Sequence, residues 1–199
     1  MNTSGNHSKL PSPINHKCDH PPEDYLKLNF DGASKGNPGE AGFGGIFRDH
    51  QGRPLLIYYG SIGWDTNNSA ELEGLWQGLQ LAQLNNFFPL EIEGDSQILI
   101  NMAQKLLQGS PPSRGSDSWR LTAGLELIAH WMQQNKAIVL KHVKRSGNKV
   151  ADLLANKGVT SDQIIFAGPL TNLNDRKILQ DCTQLVHKDY STPDAGEFC

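Results

Sequence analysis

The sequence predicts an α/β fold in which helices cover a mixed sheet of five strands. Three patterns point to it. Residues 25–62 read as three consecutive strands joined by turns. From Ser69 onward, apolar side chains recur at helical spacing. Short apolar runs at Leu90 and Ala137 then alternate with helical segments. The resulting order, βββαβααβα, is that of helices layered on a sheet.

The first strand runs from Tyr25 to Asp31, with Leu26, Leu28 and Phe30 on one side and Lys27, Asn29 and Asp31 on the other. The second side is expected to be the polar face, with Asp31 emerging from it at the strand's end. A Gly-rich stretch, Gly36 to Gly45, leads into a second strand, Phe43 to Arg48. Asp49-His50-Gln51-Gly52 is a turn, and Pro54 to Ile62 completes an antiparallel meander. Gly42-Phe43-Gly44-Gly45 is no dinucleotide loop, because Ile46-Phe47-Arg48 continues a strand where such a loop opens a helix. The first helix carries Leu72, Leu75, Leu79 and Ala82, with Asn68 or Ser69 as its cap. Leu90 to Asp95 is a strand, and Ser96 caps a helix bearing Ile98, Leu99, Met102 and Leu106. After a Gly/Ser/Pro loop from Gln108 to Asp117 come a helix over Trp119–Gln134, a strand over Ala137–Val143 and a short helix over Asn148–Lys157.

Residues 1–24, rich in Ser, Asn, His and Pro, read as a disordered leader or linker. Residues 25–160 form the domain. Residues 161–199 are an extension with one amphipathic helix, Asp175 to His187, before a disordered end. A fragment from Pro22 to Thr160 is therefore expected to fold by itself. Net charge −3 and a pI near 6.1 argue against a protein that coats nucleic acid by bulk charge. They leave room for a nucleic-acid enzyme whose metal supplies local positive charge. No apolar run is long enough to span a membrane, and the N-terminus lacks the apolar core of a secretory signal. The three cysteines, Cys18, Cys182 and Cys199, lie outside the motif-bearing region and fit a reducing, intracellular compartment. His16, Cys18 and His20 make a poor tetrahedral zinc set, and a polar tail is the better reading.

Four acids stand apart from this scaffold, each in its own local setting. They are Asp31 in Asp-Gly-Ala-Ser-Lys-Gly-Asn-Pro-Gly, Glu71 in Thr66-Asn-Asn-Ser-Ala-Glu-Leu, Asp95 in Gly94-Asp-Ser96, and Asp152 in Asn148-Lys-Val-Ala-Asp. Taken singly, each has an ordinary use at a strand end or in the first turn of a helix. Gathered in one site, they require divalent cations between them, because unscreened like charges do not share a site. Paired Mg²⁺ or Mn²⁺ ions held by carboxylates serve in-line displacement at phosphorus.

These four segments, in this order, resemble type 1 ribonuclease H, and in flavour the plant reverse-transcriptase-like and retroelement ribonuclease H domains. The resemblance runs from about Lys27 to about Gly158. It implies a ribonuclease H-like fold, with three antiparallel strands and then two parallel ones in a five-stranded mixed sheet flanked by helices. It also implies cleavage of the RNA strand of an RNA/DNA hybrid with two Mg²⁺ ions, Mn²⁺ substituting. Asp31 would bridge the ions, Glu71 and Asp95 would complete one site and Asp152 the other. Asn67 and Asn68 would reach the minor groove, and Thr66 a DNA phosphate; helix capping is the alternative for the Asn pair. Asn37 would touch the RNA strand or simply form the turn.

Arg145 stands where bacterial relatives carry a mobile His, and a guanidinium cannot act as a general base. It would stabilise charge at the phosphate or ease product departure, so Arg145→Ala is expected to slow turnover and leave metal affinity largely intact. His142 is a strand residue. The loop around Arg114 is nearly neutral, where relatives carry a basic protrusion, so hybrid affinity should be modest and less salt-dependent. The chain is expected to be monomeric, without a membrane partner, and either free-standing or part of a larger reverse-transcriptase-type polyprotein. Proofreading exonucleases place two acids two residues apart on the first strand, and integrases end their set in Glu; neither pattern is present. A non-catalytic hybrid-binding or scaffold module on the same fold is the competing class.

Overall fold

The computed structural model describes residues 20–109, 119–134, 137–161, 165–167 and 184. The leader up to residue 19, the loop 110–118 and, apart from Gln184, the expected Asp175–His187 helix lie outside them. Six strands form one sheet: β1 (Leu26–Gly36), β2 (Gly39–Arg48), β3 (Pro54–Asp65), β4 (Leu90–Gly94), β5 (Ile138–His142) and β6 (Ile165–Ala167). Four helices pack on it: α1 (Asn67–Asn85), α2 (Gln97–Leu107), α3 (Trp119–Gln134) and α4 (Lys149–Gly158). The spatial order is β5-β4-β1-β2-β3-β6. The β1–β2–β3 meander is antiparallel, and β4 and β5 join beside β1 in parallel, as expected. The sixth strand was not expected. Three residues of the extension pair antiparallel with β3 and cover part of its edge; a run that short carries no readable periodicity. No described helix is long and apolar enough to cross a membrane.

One face of the sheet carries the core. Leu28 and Phe30 of β1 and Ile92 of β4 pack with Leu75 and Leu79 of α1, Leu99 and Ile100 of α2, and Leu125 and Ile128 of α3. Burying each such side chain contributes about 1.5–3 kcal/mol. Tyr58 also sits in this core, where its hydroxyl donates to the Gly74 carbonyl at 2.7 Å.

The other face of β1 is the expected polar side, and it is buried. Lys27, Asn29 and Asp31 are all buried. Lys27 Nζ lies 2.6 Å from Glu93 and 3.1 Å from Glu91. Asn29 donates to Glu93 Oε2 at 2.9 Å and accepts from Arg48 Nη1 at 2.9 Å. Alternation marks which residues share a face; whether that face is wet depends on partners from other strands. Here opposite charges and amides satisfy one another, which is the condition for burying them.

Glycines set how closely the helices approach. A Cβ on Gly32 would lie 2.1 Å from the backbone nitrogen of Glu71, so α1 rests directly on β1. A Cβ on Gly44 would lie 2.5 Å from the backbone nitrogen of Ala155, so α4 rests on β2 from the opposite side. The Gly-rich run is therefore a helix seat, in keeping with its rejection as a nucleotide loop.

Candidate active site

Asp31 lies within β1 and not at its end. The pairing of β1 with β4 stops at Asn29 opposite Glu93, and β1 runs on paired with β2 alone. Asp31 and Asp95 each lie two residues beyond that last pair, where the two strands part. The close seat at Gly32 then brings α1 alongside. Thr66, and not Asn68 or Ser69, is its N-cap: Thr66 Oγ1 accepts from the Ser69 backbone N–H at 3.2 Å. The helix therefore begins two or three residues earlier than expected, and Glu71 stands in its second turn.

Asp31, Glu71 and Asp95 each present a carboxylate oxygen within 4.8 Å of the others. Asp31 and Glu71 are buried and Asp95 is half-buried. Asp31 Oδ1 accepts from the Gly32 N–H at 2.8 Å. Glu71 Oε1 accepts from Asn67 Nδ2 at 3.3 Å, while the buried Glu71 Oε2 has no hydrogen-bond partner. Burial, then the Asp95 charge, pushes the Asp31 carboxyl up to about 8. Burial, then the charges of Asp31 and Asp95, pushes Glu71 up to about 9. Asp95 also rises, chiefly through burial. Three carboxyls that resist ionisation together, one with an unsatisfied buried oxygen, form a donor set suited to a hard divalent cation.

Asp152 stands outside this trio. It occupies the first turn of α4, and its Oδ1 accepts from Arg145 Nη2 at 2.6 Å. Its charge still raises Asp31 and Asp95, while that of Arg145 lowers them. Arg145 opens a 3₁₀ turn, Arg145–Gly147, between β5 and α4, and its side chain is 77% exposed. Asn148, read from the sequence only as a helix start, is buried and donates from Nδ2 to the Phe30 carbonyl at 2.9 Å. That bond ties the Arg145 loop to β1 one residue before Asp31. The only signal in the sequence was its place at the head of the Asp152 segment.

Among the remaining candidates, Asn37 Oδ1 accepts from the Asn67 backbone N–H at 3.1 Å. The β1–β2 turn is thus fastened to the start of α1. Asn68 is exposed beside them. His142 ends β5, as expected of a strand residue, with Nε2 3.2 Å from the Asp95 carbonyl.

Residues 29–158 match the family model described as reverse transcriptase-like. An Arabidopsis thaliana protein bearing the ribonuclease H name is 33% identical over 132 residues, covering 66% of this chain and 20% of that protein. Ribonuclease HI of Halobacterium salinarum is 34% identical over 131 residues, covering 65% of this chain and 62% of the relative. The chain thus spans about a fifth and about three-fifths of these two relatives. The structure of LC11-RNase H1, isolated from compost, superposes with a TM-score of 0.60 at 28% identity, covering 68% of this chain and 96% of that one. Its complex with an RNA/DNA hybrid superposes at 0.56 with 29% identity, covering 67% and 96%.

Proposed function

The chain belongs to the reverse transcriptase-like family, and on that premise we propose that it is an endoribonuclease cleaving the RNA strand of RNA/DNA hybrids with two divalent cations. Mg²⁺ is the physiological ion of this reading and Mn²⁺ its substitute. The observation that carries it is the convergence of Asp31, Glu71 and Asp95 within 4.8 Å around an unpartnered buried oxygen of Glu71. LC11-RNase H1, a relative of the same fold, has been seen holding an RNA/DNA hybrid.

Asp31, Glu71 and Asp95 would hold one cation, and Asp31 with Asp152 the other. Divalent cations held there supply activation of the attacking water and charge stabilisation at the leaving 3′ oxygen. The buried setting of Asp31 and Glu71 keeps most bulk water away, so each charge placed there acts more strongly than it would in water. Asn67 is held by Asn37 through its backbone and holds Glu71 through its side chain. It orients the carboxylate and fixes the substrate-facing turn. Asn68, exposed on the same turn, is the amide free to read ribose hydroxyls and base edges in a shallow minor groove. Thr66 Oγ1 already caps α1, so a DNA phosphate would meet it at the helix N-terminus, where backbone N–H groups favour an anion.

The test is cleavage of an end-labelled hybrid with Mg²⁺, beside single-stranded RNA and duplex DNA. We expect RNA products with 5′-phosphate ends from the hybrid alone, and none with Asp31→Asn. Hybrid binding without cleavage by the parent protein would favour the non-catalytic module instead.

A further inference from the structure

The ion pair between Arg145 and Asp152 does something that the carboxylate trio does not. Asp31, Glu71 and Asp95 have no basic side chain hydrogen-bonded to their carboxylates, among the contacts of the described residues. Asp152, the fourth acid, has its Oδ1 engaged by the Arg145 guanidinium at 2.6 Å. The loop that presents Arg145 is anchored: the Asn148 amide holds it to the Phe30 carbonyl, and a 3₁₀ turn closes it with Gly147 N–H donating to the Lys144 carbonyl at 2.8 Å. The side chain itself is 77% exposed, so protein packing leaves room for it to move. A guanidinium on Asp152 Oδ1 and a divalent cation on the same carboxylate repel each other, so each weakens the other's hold on it.

We infer that Arg145 is an internal competitor for the second cation, holding Asp152 until a divalent ion displaces it, and that the released guanidinium then moves to the scissile phosphate. The inference rests on the hydrolase reading above. Loading is then ordered. The first ion enters at Asp31, Glu71 and Asp95, where no guanidinium is hydrogen-bonded to a carboxylate. The second must break the Arg145–Asp152 pair, and it does so most readily when a hybrid offers the fork a phosphate in exchange, since Arg matches phosphate and carboxylate alike. Arg145→Ala should therefore alter metal affinity, contrary to the expectation drawn from the sequence, and should alter it at one site.

The experiment measures Mn²⁺ binding to the full chain by titration calorimetry and by the electron paramagnetic resonance of free Mn²⁺, with no substrate present. The forms compared are the parent, Arg145→Ala, Arg145→Lys, Asp152→Asn, the Arg145→Ala/Asp152→Asn pair and Asp31→Asn. We expect a stronger and a weaker site in the parent. Arg145→Ala should tighten the weaker site by up to about fivefold, the fold-change matching a ceiling of about 1 kcal/mol for an exposed ion pair. The stronger site should move less, and Arg145→Lys should fall between. In the Asp152→Asn background the Arg145 effect should vanish. In cleavage assays, Arg145→Ala should need less Mg²⁺ for half-maximal rate while its maximal rate falls. Equal tightening of both sites would mean that Arg145 acts only through its general field and would overturn the inference, as would no change at either site. Failure of the parent to bind Mn²⁺, or undiminished binding by Asp31→Asn, would overturn the hydrolase reading as well.

Discussion

Removing divalent ions and varying pH probes the carboxylate trio without any substrate. In the folded, metal-free protein Asp31 ionises near 8 and Glu71 near 9, against ordinary values of 3.8 and 4.5. Both folded values are raised, so their contribution to stability is fully present below the unfolded values and is lost as pH rises through the folded ones. Between pH 5 and 7 the folded state therefore holds a proton on each group that the unfolded chain has released. Each group then lowers stability by about 1.4 kcal/mol per pH unit. Over those two units Asp31 alone removes close to 3 kcal/mol, and Glu71 adds up to as much again. For a chain of this size, ~3 kcal/mol corresponds to a fall in Tm of about 6–12 °C. Asp49 and Glu91, whose carboxyls are lowered, titrate below this window and add no slope within it. The assay is urea and thermal denaturation in EDTA at pH 5, 6 and 7, repeated with saturating Mg²⁺. The ion supplies the missing positive charge, so the slope should flatten when it is present. Asp31→Asn should raise metal-free stability at pH 7 by up to about 4 kcal/mol, since 7 minus 3.8 is 3.2 units at about 1.36 kcal/mol each. A metal-free stability that is flat or rises from pH 5 to 7 would refute the reasoning.

Three further perturbations test the frame that holds the site. Gly32→Ala places a Cβ 2.1 Å from the Glu71 backbone nitrogen. It should cost about 3 kcal/mol or more in urea denaturation and weaken Mn²⁺ binding, because α1 must lift and carry Glu71 away from Asp31; a change under about 1 kcal/mol would show that the helix shifts freely. Lys27→Met strips the buried cation from between Glu91 and Glu93. It should destabilise by about 3–5 kcal/mol, and a near-neutral result would mean that these acids discharge at little cost. Truncation after Thr160 removes β6 and bares the pairing edge of β3. That fragment should be less soluble and less stable than one ending at Ala167; equal behaviour of the two would leave β6 without a role in stability.

The sequence by itself determined what local chemistry encodes. Alternation and helical spacing located five strands and four helices, because backbone periodicity is written residue by residue. Ser96 as a cap and the bounds of α3 were legible for the same reason. The four acids were legible through their flanking residues, and the partnership of Asp31 with Asp95 followed once their strands were parallel neighbours. Tertiary structure decided the rest. The polar side of β1 became an interior because Lys27 meets a carboxylate 66 residues away, and no local pattern records such a partner. The start of α1 lies at Asn67 because Thr66, the residue between β3 and α1, supplies the cap. The three residues of β6 are a strand only because β3 offers an open edge. Asp152 left the carboxylate trio for Arg145 because a nearby cation takes up an ionised carboxylate more readily than three like charges can.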